Sequence, residues 1–142
     1  MVENQAKDAN SPEKRRLFDH EINKFNRDCI FVYTEDDPGS DGARHEYLVH
    51  AYTQPVEGEA GHITEACRIR FQNGSLKDVG TNGITDEALL AIVLDRLRSF
   101  NEGRFRCRQN SLAITHLEEA LHWLEARSKE RSRRGVFGER QV

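Results

Sequence analysis

The strongest constraint on the fold is a double helical pattern between Thr85 and Arg134. The run TDEALLAIVLDRLRSF opens on Thr85, a good N-cap, with Asp86 and Glu87 in the first turn, where the helix dipole favours anions. The polar segment NEGRFR interrupts the pattern, and a second helical run follows it. Gly135 suits the stop of that second helix. The sequence therefore predicts a helical hairpin.

Both predicted helices have an apolar stripe, and the first has a second stripe beside it. The first helix carries its main stripe at Leu90, Val93, Leu94 and Leu97, with Leu89 and Ile92 adjacent. The second helix carries Ala113, Leu117, Ala120, Leu121 and Leu124, with Trp123 on the flank. A helix that is apolar on more than one side must bury more than one side. We therefore expect the first helix to pack on its partner helix and also on a sheet or a second chain.

Upstream of the hairpin, β-branched and aromatic runs predict strands at residues 29–34, 46–54, 63–72 and 75–79. Asn73-Gly74 lies between the last two runs and favours a β-hairpin, because both turn residues need positive φ. These strands come before the helices and do not alternate with them. The predicted fold class is therefore α+β: an antiparallel sheet of about four strands, then a two-helix hairpin.

A chain of 142 residues favours one domain. We expect an N-terminal extension at 1–27 and one domain at 28–142, with the sheet at 28–80 and the hairpin at 85–134. Residues 1–10 look disordered. Ser11 as cap and Pro12 at the first helical position predict a short helix through Phe18, Ile22 and Phe25.

Composition favours a cytoplasmic protein. The sequence has no apolar run of the roughly 20 residues that a membrane span needs, so we expect no membrane association. The N-terminal residues lack the apolar segment of a secretory signal. Cys29, Cys67 and Cys107 are odd in number and widely spaced, which favours reduced thiols.

No pattern indicates catalysis, a metal or a cofactor. His116, Glu119 and His122 resemble a zinc motif only superficially, because helical zinc ligands need histidines four apart and these are six apart. No Ser, Cys or Thr has the sequence context of a nucleophile, and no glycine-rich phosphate loop follows a strand. We therefore expect a protein that is not an enzyme.

Positive charge gathers at both ends of the second helix. The whole chain is -3, whereas residues 104–134 carry eight positive and four negative side chains, or +4. Arg108 and Arg127, one in each cluster, are separated by roughly 28 Å of helical rise. One small anion can meet both clusters only if they come from different chains. A two-fold dimer with antiparallel helices would provide two such sites.

Arginines beside an aromatic ring and an amide suit a nucleotide. Guanidinium groups bind phosphate, Phe100 or Phe105 can stack on a base, and Asn110 can read a base edge or a ribose hydroxyl. Structural interpretations stand beside this one. The phenylalanines can close the hairpin, Asn110 can start a helix, and the basic end can complement the helix dipole.

The residues FQNG, NGITDEALLAI, CR-x-N, LEEALxWL and RRGV-x-G resemble the type-1 Thoeris anti-defence (Tad) family. These small phage proteins share a C-terminal hairpin with anti-CBASS nucleotide sponges. The resemblance covers about residues 28–138 and is densest from Phe71. It implies a sponge in the host cytoplasm that binds cyclic ADP-ribose isomers (gcADPR) of bacterial TIR enzymes and holds them without cleavage. It also implies homo-oligomers, as dimers or as hexamers built from three dimers.

Carried over residue by residue, the resemblance implies that Phe100 stacks on adenine and Asn110 makes a polar contact. It implies that Arg127 of the second chain binds the diphosphate, with Arg133 and Arg134 as further phosphate contacts. Some family members also resemble cyclic-trinucleotide binders. For that separate site, the resemblance points to Arg108 and Ser111.

This sequence departs from the family pattern in its longer N-terminus and at Phe137, where an acidic residue is expected. Two alternatives to the sponge remain open from the residues alone. A nucleic-acid-binding regulator would use the basic hairpin on a phosphate backbone, although the resemblance predicts no nucleic-acid partner. A purely structural oligomer would pair the arginines with the acidic loop.

Overall fold

The structure is a computed structural model that describes residues 14–135. The expected disorder of residues 1–10, the helix start at Ser11 and Pro12, and Phe137 lie outside the described residues. The chain divides into two compact units, Met1–Arg70 and Phe71–Val142. The elements are, in chain order, β1 (Arg16–Leu17), α1 (Lys24–Cys29), β2 (Ile30–Thr34), β3 (Glu46–Tyr52), β4 (Ile63–Arg70), α2 (Leu76–Val79), α3 (Asp86–Glu102) and α4 (Arg108–Arg133).

The first unit is built on a four-stranded antiparallel sheet in the order β1-β2-β3-β4. Val32 of β2 lies opposite Val49 of β3, which in turn lies opposite Cys67 of β4. Helices α3 and α4 follow this sheet in the chain. The predicted α+β class and the number of strands are therefore confirmed, and three of the four predicted strands form β2, β3 and β4. The fourth observed strand, β1, was not predicted, and the predicted strand at 75–79 does not form.

The predicted N-terminal helix is wrong. Arg16–Leu17 instead forms β1, because Thr34 satisfies the adjacent backbone twice: the Arg15 N–H donates to the Thr34 hydroxyl at 2.9 Å, and the Thr34 N–H donates to the Arg15 carbonyl at 2.8 Å. Thr34 is fully buried, whereas Phe18 is 60% exposed. The apolar residues expected to form a helical stripe thus have no buried face. Backbone pairing of this segment with β2, which is distant in the sequence, decides its conformation.

The predicted strand at 75–79 is also wrong. Ser75 caps α2, with its hydroxyl accepting from the Asp78 N–H at 3.1 Å. Gly74 has φ 92° but Asn73 does not have positive φ, so the two-residue hairpin turn does not form. Side-chain amides close this loop instead: Gln72 donates to the Gly80 carbonyl at 2.7 Å, and Asn82 donates to the Asn73 carbonyl at 2.6 Å.

The β2–β3 loop is held by a buried histidine. His45 is 5% exposed, and its Nε2 lies 2.9 Å from the Asp41 carboxylate. Asp36 accepts from the backbone N–H of His45 at 2.8 Å. The Ala43 N–H donates to Asp41, and this bond, with a smaller contribution from His45, lowers the pKa of Asp41 below its usual 3.8. The folded loop therefore stabilises the ionised, carboxylate form of Asp41.

The second unit contains the predicted helical hairpin. The Thr85 hydroxyl accepts from the Ala88 N–H at 3.2 Å, which confirms the predicted N-cap of α3. Gly135 has φ 73° just after α4, as expected for a helix stop. Within the described residues, no helix has the length and apolar character needed to cross a membrane.

Leu94 is the buried apolar side chain at the centre of α3, only 4% exposed. Other large apolar side chains of the hairpin remain in solvent in the single chain: Ile92, Val93, Phe100, Phe105, Leu112 and Trp123 are 36–72% exposed. Ile92, in the second apolar stripe of α3, is thus 64% exposed in the single chain.

Candidate functional site

The elbow between α3 and α4 brings two phenylalanines together. The rings of Phe100 and Phe105 meet edge to face, with centroids 6.4 Å apart and planes at 83°. The guanidinium groups of Arg96 and Arg104 lie 4.9 Å from the Phe100 and Phe105 centroids, respectively. Phe100 is 36% exposed and Phe105 is 61% exposed, so neither side chain is fully buried in the contact between the two helices. The elbow presents aromatic surface and cationic groups in one place.

A set of short hydrogen bonds fixes the shape of the elbow. The Asn101 side chain joins both helices: its Nδ2 donates to the Ser111 hydroxyl at 2.9 Å, and its Oδ1 accepts from the Cys107 N–H at 3.3 Å. Cys107 is the N-cap of α4, with its sulfur accepting from the Asn110 N–H at 3.4 Å. The Asn110 side chain donates to the Phe105 carbonyl at 3.3 Å. Phe105, Asn110 and Ser111 are therefore held in fixed positions relative to the end of α3.

The predicted interpretation of Asn110 as a helix-start residue is partly right. Its side chain does not cap α4, because Cys107 does so. Asn110 instead lies in the first turn and ties the elbow to the helix. Because its Nδ2 is committed to a backbone carbonyl, its Oδ1 is the atom that stays available as an acceptor.

The basic residues of the elbow differ from those at the far end of α4. Arg104, Arg106 and Arg108 form no ion pair with a carboxylate in the described part of the chain. Arg104 instead lies against Phe105. Guanidinium groups that lack a carboxylate partner carry uncompensated charge that an anion can neutralise.

The far cluster is paired within the chain. Arg127 lies 4.0 Å from Asp86, and Arg133 and Arg134 lie 3.6 and 3.7 Å from Glu130. The Lys129 ammonium, 2.8 Å from Glu125, lowers the pKa of that carboxyl group. All these side chains are more than half exposed, so water screens each pair and an incoming anion can replace it at small cost.

The two clusters lie at opposite ends of the hairpin. Arg127 contacts Asp86 at the start of α3, and Phe100 lies fourteen residues further along that helix, roughly 21 Å away at about 1.5 Å per residue. A small ligand that stacks on Phe100 therefore cannot reach Arg127 of the same chain.

Histidines on α4 do not gather into a metal site. His116 contacts Glu119, with Nδ1 and Oε2 3.3 Å apart, whereas His122 packs its ring edge against Trp123 at 5.8 Å. Among residues 14–135, no cluster of three or more His, Cys, Asp and Glu side chains is arranged to hold a metal ion.

Two elbow residues were missed by the sequence reasoning. Arg96 lies one helical turn before Phe100, and this i, i+4 spacing would have indicated that its guanidinium covers the ring. Asn101 was read only as a break in the apolar pattern, although α3 continues through it to Glu102. Its link to Ser111, ten residues away, carries no local signal.

The second unit, then, is a helical hairpin whose elbow displays an aromatic pair, a polar network and arginines that pair with no carboxylate of residues 14–135. These features suit the binding of an anionic ring-containing ligand. Residues 64–128 match the model of the Acb2/Tad1 hairpin domain, so the predicted resemblance is confirmed over this part of the chain. The chain is also 49% identical over 70 residues to Thoeris anti-defense 1 of Bacillus phage SBSphiJ7. That alignment covers 49% of each chain, so the chain matches about half the length of its curated relative.

Proposed function

We propose that this protein is a phage anti-defence sponge that binds cyclic ADP-ribose isomers (gcADPR) made by Thoeris TIR enzymes and sequesters them uncleaved in the host cytoplasm. The observation that carries the proposal is the elbow itself. Exposed aromatic rings lie beside three arginines without a carboxylate partner in the described residues, as a base linked to a diphosphate requires. The likeness to the Acb2/Tad1 hairpin domain supports the same ligand class.

In this proposal Phe100, which is 36% exposed, stacks on the adenine ring. The free Oδ1 of Asn110 accepts a hydrogen bond from the ligand. Arg127 of a second chain binds the diphosphate, supported by Arg133 and Arg134. Each of these arginines gives up only an exposed ion pair when it turns to the ligand.

The proposed site needs two chains, because Phe100 and Arg127 of one chain are roughly 21 Å apart along the hairpin. The exposed apolar surface supports such self-association. Ile92 is 64% exposed and Trp123 is 72% exposed, and large side chains of this kind gain free energy when a partner removes them from water. A dimer forms two equal sites, and three dimers would make a hexamer.

Cyclic trinucleotides of CBASS systems are the proposed ligands of a second site, at Arg108 and Ser111. Both residues lie in the first turn of α4, where backbone N–H groups and the helix dipole favour a phosphate. Arg108 forms no ion pair with a described carboxylate, and the Ser111 hydroxyl already exchanges hydrogen bonds with Asn101 and the Cys107 carbonyl.

Isothermal titration with cyclic ADP-ribose isomers, run beside a native mass measurement of the assembly, tests the sponge. We expect tight binding of one ligand per chain and recovery of the intact ligand after heat denaturation. Recovery of a hydrolysed product would instead make the protein an enzyme. The absence of heat for every isomer would defeat the proposed ligand class.

A nucleic-acid-binding regulator remains the second candidate, favoured by the elbow arginines that form no ion pair within the described part of the chain. Its affinity would fall steeply with salt, because each neutralised phosphate releases counterions. A small ligand enclosed between two chains is screened far less. Titrations of duplex DNA and of cyclic ADP-ribose at two salt concentrations separate these functions.

A further inference from the structure

One face of the sheet in the first unit is aromatic. Side chains alternate along a strand, so Phe31 and Tyr33 of β2 share a face with His50 and Tyr52 of β3, where Phe31 lies opposite His50. The rings meet edge to face: Phe31 and Tyr52 have centroids 5.2 Å apart and planes at 84°. His50 lies 6.1 Å from Tyr33 and 6.0 Å from Tyr52. Such contacts leave parts of the ring faces available to a ligand.

A pocket of about 220 Å³ opens on this aromatic face. Its lining consists of Asp28, Phe31, Tyr33, Tyr52, Pro55 and Gly61. A Cβ at Gly61 would come within 2.5 Å of the Thr53 carbonyl oxygen, so the chain passes too close here for any larger residue. The pocket is smaller than the roughly 300–1,000 Å³ of typical ligand sites. It therefore suits a small head group and not a whole nucleotide.

The lining favours a cation. The faces of three aromatic rings carry negative potential, and Asp28 is the charged residue among the lining side chains. The Asp28 Oδ1 pairs with the Arg27 Nε at 3.2 Å, but Arg27 is 58% exposed, so water weakens this pair. The Arg16 guanidinium lies 4.5 Å from the Phe31 centroid, and its own charge is compensated by the Glu21 carboxylate.

We propose that this pocket binds a small quaternary ammonium compound, independently of the helical elbow. The rings of Phe31, Tyr33 and Tyr52 contact the methyl groups, and the Asp28 carboxylate compensates the charge. A primary ammonium group would bring three N–H donors that each need an acceptor. The Asp28 carboxylate can accept from such a group, but the aromatic carbon that forms most of the lining cannot, whereas a quaternary ammonium group has no N–H to satisfy.

Choline is the probe, and its neutral carbon analogue 3,3-dimethylbutan-1-ol is the control of equal shape. In a proton NMR titration of the full chain, choline should shift the ring resonances of Tyr33 and Tyr52 saturably. It should bind about fivefold or more tightly than the alcohol, because only the cation interacts with the ring quadrupoles. Equal affinity for the two compounds, or no saturable shift with choline, overturns the proposal.

Matched variants locate the site. Tyr52→Phe keeps the ring and should retain choline binding, whereas Tyr52→Leu should abolish it. Asp28→Asn should weaken binding about threefold or more, and Asp19→Asn, an exposed carboxylate outside the lining, should leave it unchanged. Melting curves check that each variant folds. If Tyr52→Leu does not fold, Asp28→Asn decides alone, and unchanged choline binding in that variant overturns the proposal.

Discussion

Subunit complementation is the sharpest consequence of the separation between Phe100 and Arg127. If each ligand lies between Phe100 of one chain and Arg127 of the other, then Phe100→Ala and Arg127→Ala should each damage every site in their own homodimers. Each loss should amount to about 2 kcal/mol, which corresponds to roughly 30-fold in Kd. The roughly 21 Å between the two residues within one chain is what makes the pairing between chains necessary.

Mixing the two variants should restore binding. In a mixed dimer, one site combines both substitutions, and the other combines an intact Phe100 with an intact Arg127. Random exchange makes about half of the dimers mixed, so about one quarter of all sites should regain full affinity. Isothermal titration of the exchanged mixture with a cyclic ADP-ribose isomer measures that fraction. Two inactive variants that stay inactive after verified subunit exchange would refute the shared site.

A matched control separates binding from stability in this experiment. Arg127→Ala also removes the exposed pair with Asp86, which contributes at most about 1 kcal/mol to folding. Asp86→Ala removes the same pair while keeping the guanidinium group free for the ligand. We expect Asp86→Ala to bind as tightly as the unchanged chain. A loss as large as that of Arg127→Ala would mean that the ion pair, and not a ligand contact, is what matters.

Three further predictions concern stability. Leu94→Ala should lower the free energy of unfolding by about 2–5 kcal/mol in urea titrations, because Leu94 is 4% exposed. The exposed Ile92→Ala should cost less than about 1 kcal/mol at protein dilutions that keep the chain monomeric. Similar losses for the two variants would contradict this prediction. Asn101→Ala removes two hydrogen bonds and should cost about 1–3 kcal/mol by the same method, against no loss for the exposed Gln109→Ala. Because the pKa of Asp41 is lowered, its carboxylate stabilises the fold above its ordinary pKa of 3.8, and this is lost as the pH falls through the lower folded value. Asp41→Asn should therefore have a lower free energy of unfolding than the unchanged chain near neutral pH. An equally large difference between the two proteins below the folded pKa of Asp41 would refute this prediction.

Sequence patterns predicted the hairpin well because its determinants are local. Thr85 caps α3, the apolar stripe places Leu94 at the centre of the hairpin, and Gly135 follows α4 in the left-handed conformation. The strands β2, β3 and β4 were also predicted, because β-branched and aromatic residues fit a pleated, half-buried surface. In each case, the signal that predicts the element lies within a few neighbouring residues of the sequence.

The candidate site was predictable in residue type but not in arrangement. Phe100 and Phe105 do come together, and Asn110 lies against the Phe105 carbonyl. Nothing in the linear pattern indicated that Asn101 and Ser111 would join the two helices. That a second chain supplies Arg127 to the ligand stays a prediction, which follows from the distance between the two basic clusters.

The sequence by itself determined the α+β class, the hairpin, the Thr85 cap and the Gly135 stop, because periodicity and these end signals act over a few residues. Only the tertiary structure decided that Arg16–Leu17 joins the sheet and that the segment around Asn73-Gly74 closes without a hairpin turn. Asn73-Gly74 favours a hairpin turn locally, yet hydrogen bonds between the Gln72 and Asn82 segments stabilise another conformation. The contacts of Asn82 join residues nine or ten positions apart, and those of Arg15 with Thr34 join residues nineteen positions apart. Several such bonds together exceed a local preference of about 1 kcal/mol.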